Sequence, residues 1–128
     1  MNELVQEWID KAEGDYHSAL REYRARKFPN YDAAGFHAQQ CVEKYLKAIL
    51  QLSNIRFEKV HDLLALLKLC LSVVPELEQY KELLAYLNPF AVAFRYPGDS
   101  ATRDQARQAI QIMKKLRLIV RRILHLEE

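Results

Sequence analysis

Ala34, Ala38, Cys41, Tyr45, Ala48 and Leu52 follow one another by four and three residues, a heptad-like seam that belongs on one side of an α-helix. The small residues on that seam let a neighbouring helix approach closely. The same stepping recurs upstream through Leu4, Val5, Trp8, Ile9, Ala12, Tyr16, Ala19, Leu20 and Tyr23. It recurs again near the end through Ala106, Ala109, Ile110, Met113, Leu116, Val120, Ile123 and Leu124. No alternating strand pattern interrupts these stripes. A chain patterned this way buries helical stripes against one another, so the expected fold class is all-α.

The breaks divide the chain. Pro29 cannot continue a helix and Asn30 is a natural cap, so one helix ends near Arg26 and the next runs from about Tyr31 to Leu52. "HDLLALLKLCLSVV" reads as a third helix, rich enough in leucine to be central. Pro75, Pro89 and Pro97-Gly98 bracket "ELEQYKELLAYLN" and "FAVAFRY", which reads as an element broken in two. A last helix spans about Thr102 to Leu126. The short links favour antiparallel neighbours, giving an up-and-down bundle of four long helices plus a short fifth.

The 128 residues are enough for one compact domain, 1–128, and too few for two. Two cysteines cannot build a disulfide framework, and "MNELVQEWIDKAEGDY" is acidic where a secretory signal is basic and then apolar. A reducing cytoplasm is the expected setting, and no apolar run is long enough to suggest a membrane span. The formal net charge of +2 implies no general attraction to nucleic acid. The last helix nonetheless gathers Arg103, Arg107, Lys114, Arg121 and His125 in one band, with Lys115 and Arg122 beside it. That face is either solvated and balanced by Glu3, Glu7, Asp10, Glu13 and Asp15, or a phosphate-tracking surface.

Glycine-rich phosphate loops, nucleophile elbows and His-Glu-x-x-His pairs are all missing, which removes the commonest kinase and hydrolase chemistries. His37 and Cys41 share a helical face, but without further ligands at regular spacing they indicate a buried thiol beside a hydrogen-bonded imidazole. No metal site and no cofactor is expected. What remains is a polar set at helix ends and along the seam: Asp15, His37, Gln40, Glu43, Lys44, Lys47, His61, Asp62, Arg95 and Tyr96. On a helical wheel His37 lies about 20° and Gln40 about 40° from Lys44, whereas Gln39 lies about 140° away. His37 therefore reads as a structural hydrogen-bonding residue, and Lys44 and Lys47 as the more exposed candidates for a ligand.

"FHAQQCVEKYLKAIL", then "KVHDLLALL", then "FRYPG", preceded by Trp8, Ala12, Asp15, Ala19 and Leu20, resemble the HEPN domain family over almost the whole chain. The resemblance implies a helical bundle, usually a homodimer, in the cytoplasm. Family members often stand beside a minimal nucleotidyltransferase, sometimes as one half of a toxin-antitoxin pair. For the branch with the "HAQQ" motif the implied role is nucleotide binding. Other branches are metal-independent ribonucleases that use an Arg and a His a few positions apart.

Three functions follow as expectations. The first is a nucleotide- or RNA-binding module in which Lys44, Lys47 and Arg95, with His61, surround a cleft. Arg95 precedes the Tyr96-Pro97-Gly98 turn, which would aim it into that cleft; the alternative is an ion pair with Glu43 or Asp15. The second is a ribonuclease using Arg56 and His61. "RFEKVH" fits the bare spacing, but Phe57 stands where the ribonucleases usually have Asn or Asp, and His61-Asp62 also reads as a helix-start capping pair. The third is a purely structural dimeric subunit.

Overall fold

The computed structural model describes residues 1–94 and 96–128. Within them the chain forms α1 (Glu3–Arg24), α2 (Tyr31–Leu52), α3 (Leu63–Cys70), α4 (Lys81–Leu87) and α5 (Arg103–Ile123). Short 3₁₀ segments, Pro75–Tyr80 and Asn88–Ala91, flank α4. The expected all-α bundle is what the chain adopts. Its length is distributed differently: α1, α2 and α5 are the long helices, whereas α3 and the broken fourth element are short.

Each long helix starts on a side-chain cap that satisfies otherwise unpaired backbone N–H groups. Asn2 accepts from Val5 N at 2.9 Å and Asn30 from Ala33 N at 2.9 Å. Thr102 and Gln105 form a reciprocal capping box at the start of α5. Asp62 caps α3, accepting from Leu64 N at 3.0 Å and Ala65 N at 3.3 Å, and is itself held by Asn88 Nδ2 at 3.1 Å.

The centre of the bundle is α2, which packs against α1, α3, α4 and α5. The leucine-rich α3, expected to be central, instead buries one side, Leu63, Leu66, Leu67 and Cys70, and leaves Lys68 and Leu69 exposed. It also ends before the leucine-rich run does, because Pro75 forces Val74 out of helical backbone. Asp15 of α1 reaches His37 and Lys44, and Trp8 lies beside Lys47, so α1 and α2 run antiparallel. Gly35 sits where α2 meets the second 3₁₀ segment: a Cβ there would lie 2.2 Å from Phe90 Cδ1. No described helix is long and apolar enough to cross a membrane.

Candidate functional site

Three polar clusters are threaded through the α1–α2 packing. The first is centred on Asp15, buried on α1. His37 Nδ1 donates to Oδ1 at 2.8 Å and Lys44 Nζ donates to Oδ2 at 2.5 Å. Burial pushes the Asp15 carboxyl up, but these two hydrogen bonds and the nearby positive charge outweigh it and hold the group below the ordinary aspartate value. An ionised carboxylate only accepts, so the His37 proton is on Nδ1 and its Nε2 is left unengaged. Both partners are partly open to solvent.

The second cluster surrounds Glu43, which is 2% exposed. Gln39 Nε2 at 3.4 Å and Gln40 Nε2 at 3.3 Å donate to Oε1, and Lys47 Nζ donates to Oε2 at 3.1 Å. His61 Nδ1 approaches both carboxylate oxygens at 3.1 Å. Gln40 also donates to Gln39 Oε1 at 2.7 Å, and Gln39 donates to the His61 carbonyl at 3.2 Å. Every buried polar side-chain atom described has a partner, as a low-dielectric interior requires. The His61 side chain is 66% exposed on its outer side.

Lys47 corrects an expectation. It is only 5% exposed. Trp8 and Phe57, themselves edge-packed at 6.0 Å, lie over its ammonium at 5.3 Å and 6.0 Å. Ion pairing with Glu43 and two aromatic faces replace water around that charge. Gln39, expected to lie toward the side opposite Lys44, is fully buried within the Glu43 network.

The third cluster lies on the opposite side of α1 and was not foreseen as a unit. Arg117 of α5 grips Glu13 with both Nε and Nη2, at 2.7 and 2.6 Å, and its guanidinium stacks on Tyr16 at 4.3 Å. Tyr45 donates its hydroxyl to Glu13 at 2.6 Å and accepts from Arg121 at 2.9 Å. Burial acts to raise the Glu13 carboxyl, but hydrogen bonds from Arg117 and Tyr45 hold it below the ordinary glutamate value. The Tyr45 hydroxyl is pushed up by burial and by Glu13. One signal was available: a tyrosine on a buried seam needs a partner for its hydroxyl. Of the acidic residues on α1 considered as a balance for the cationic face, only Glu13 pairs with α5 among the described residues.

The remaining candidates fall outside these clusters. Arg56 is exposed in the non-helical link between α2 and α3, lining a shallow groove of about 600 Å³ with Phe57, Glu58, Lys59 and Leu69. His61 is not among the groove's lining residues. Asp62 caps α3, while His61 turns to Glu43 and takes no part in the cap. Tyr96 is 77% exposed in a turn closed by Gly98, whose φ of 91° suits glycine. Arg95 lies outside the described residues. Burial raises the Cys41 thiol well above its ordinary value and pushes Cys70 up to about 12. Among the described residues no group of three or more His, Cys, Asp or Glu is placed to hold a metal ion.

An archaeal HEPN homologue, ST0689, has a crystal structure that superposes with a TM-score of 0.73 at 22% identity, covering 91% of this chain and 94% of its own. The crystal structure of TT1696 from Thermus thermophilus superposes with a TM-score of 0.72, also at 22% identity, covering 92% of this chain and 96% of that one. At this identity both show the fold alone. No curated protein matches the chain. The HEPN domain family model matches residues 5–123, which is nearly the entire bundle. The chain belongs to the HEPN domain family.

Proposed function

We propose that the chain is a single HEPN-like domain that binds the phosphate of a nucleotide or RNA. It acts as a cytoplasmic homodimer and as one half of a two-component, toxin-antitoxin-like system with a minimal nucleotidyltransferase. The observation that carries the binding role is the Asp15 cluster. Lys44 and His37 are both fixed on one buried carboxylate while their side chains stay 22% and 31% exposed. Lys44 spends one of its three N–H donors on Asp15, leaving the others for an anion. A prearranged ammonium beside an imidazole is suited to a phosphate oxygen. Lys47 is buried on Glu43, and Arg95 remains a candidate contact.

Calorimetric titration with ATP tests this reading. Saturable heat, weakened about tenfold or more in Lys44→Ala, is expected, since a charge-assisted hydrogen bond contributes about 1.5–3 kcal/mol. Absence of heat at millimolar nucleotide would overturn it.

One observation favours ribonuclease chemistry as a second reading. Glu43 holds His61 through Nδ1, so Nε2 of a largely exposed ring is free to take a proton from a ribose hydroxyl. Arg56 would then have to swing toward the same phosphate. Mixed RNA incubated with chelator and wild-type, Arg56→Ala or His61→Ala protein separates the two; equal cleavage in all three excludes this chemistry at these residues.

A further inference from the structure

The end of the bundle where α1 gives way to α2 is built from residues that the Asp15 and Glu43 clusters do not use. After Arg24 the chain makes an irregular hook, closed by a hydrogen bond from Asn30 N to the Glu22 carbonyl at 3.2 Å. Arg24, Arg26 and Lys27 are exposed on it, and none has a carboxylate within ion-pair distance among the described residues. Phe28, at the tip, is 94% exposed with φ of 54°. A bulky L-residue avoids that region because its Cβ crowds its own backbone. Asn54, at φ of 57°, shows the residue type that ordinarily fills such a turn. The hook therefore holds an aromatic face in water on unfavourable backbone, with three uncompensated cations around it.

The surface continues beyond the hook. Asp32, near the start of α2, accepts from Ala101 N at 2.6 Å, which ties the beginning of α5 to the same end of the bundle. Arg103, two residues on, is exposed and likewise has no ion-pair partner among the described residues. Tyr23 and Tyr31, with ring centroids 6.0 Å apart, brace the base of the hook.

We propose that this end of the bundle is a contact surface for single-stranded nucleic acid. Phe28 stacks on an unpaired base while Arg24, Arg26, Lys27 and Arg103 neutralise neighbouring phosphates. An exposed ring among spaced cations is the pattern single-strand binders use, and a closed duplex offers that ring no free base. A membrane-surface element needs a broad apolar helical face, which a one-ring hook lacks. The inference rests on the nucleotide or RNA reading above and extends it from a phosphate to a strand.

The test is fluorescence anisotropy with a labelled oligouridine RNA, the matching single-stranded DNA, a hairpin duplex and phosphatidylserine vesicles. Each is titrated with wild-type, Phe28→Ala, Phe28→Trp and Arg24→Ala/Arg26→Ala/Lys27→Ala protein. Phe28→Ala is expected to weaken RNA binding at least about fivefold, with Phe28→Trp close to wild type. The triple variant is expected to lower the salt slope by about 2. Equal affinity for RNA and DNA supports recognition through shared phosphodiester and base stacking; preference for RNA supports recognition of RNA itself. Unchanged oligonucleotide binding in Phe28→Ala, binding to the hairpin as strong as to the strand, or vesicle binding alone overturns the inference. If ATP heats persist in that case, the phosphate-binding reading stands without it; if no nucleotide or RNA binds the wild-type protein, both fall.

Discussion

Replacing Glu43 by Ala leaves Lys47, with a side chain only 7% exposed, without its anion at 3.1 Å. An uncompensated buried charge costs about 3–5 kcal/mol. The Trp8 and Phe57 faces at 5.3 and 6.0 Å offset about 1 kcal/mol of that, so the expected loss is about 3 kcal/mol. Glu43→Leu/Lys47→Met removes both charges while keeping most of the volume. It is expected to recover all but about 1 kcal/mol, the remainder coming from Gln39, Gln40 and His61 losing an acceptor. Urea unfolding reads both variants. With a slope of about 2 kcal/mol per molar, Glu43→Ala should shift the midpoint down by about 1.5 M. A shift corresponding to less than about 1 kcal/mol, or a double variant no more stable than the single one, would show that Lys47 does not depend on Glu43.

Two further outcomes follow from packing and titration. Gly35→Ala should destabilise by about 1–3 kcal/mol in thermal unfolding, because the new Cβ would lie 2.2 Å from a Phe90 ring braced by Tyr86 and Phe94; wild-type stability would mean that Phe90 can move aside. Glu13 and Asp15 both have folded pKa values below their ordinary ones. Their stabilisation is therefore complete above the unfolded carboxylate value of about 4, declines as pH falls, and is gone below the folded values. Chemical unfolding across that acidic window should show the decline, and Glu13→Gln should flatten it; equal slopes for the two proteins would contradict the assignment.

The long helices were legible because each buries one stripe and starts at a capping residue such as Asn30. The place of α3 was not, since leucine richness measures how apolar a segment is and not how many partners surround it. Sequence gathered Asp15, His37, Gln40, Glu43, Lys44, Lys47 and His61 into one candidate set of polar residues at helix ends and along the seam, but left out Gln39, which is buried in the Glu43 network. It did not show that Lys47 is buried, which depends on Trp8 from another helix and Phe57 from a loop. Arg117 and Glu13 are 104 residues apart, and no local pattern connects them. Arg56 and His61 matched a spacing, yet the link between them is not helical and His61 is turned toward Glu43.

The proposed binding role rests most directly on Lys44, fixed on Asp15 yet partly open to solvent. Titrating ATP into wild-type and Lys44→Ala protein by calorimetry, with folding of both checked by circular dichroism, puts it to the test. Saturable heat is expected for the wild type, with affinity lower by about tenfold or more for the variant. A silent wild type, or a folded variant that binds as tightly, would contradict it.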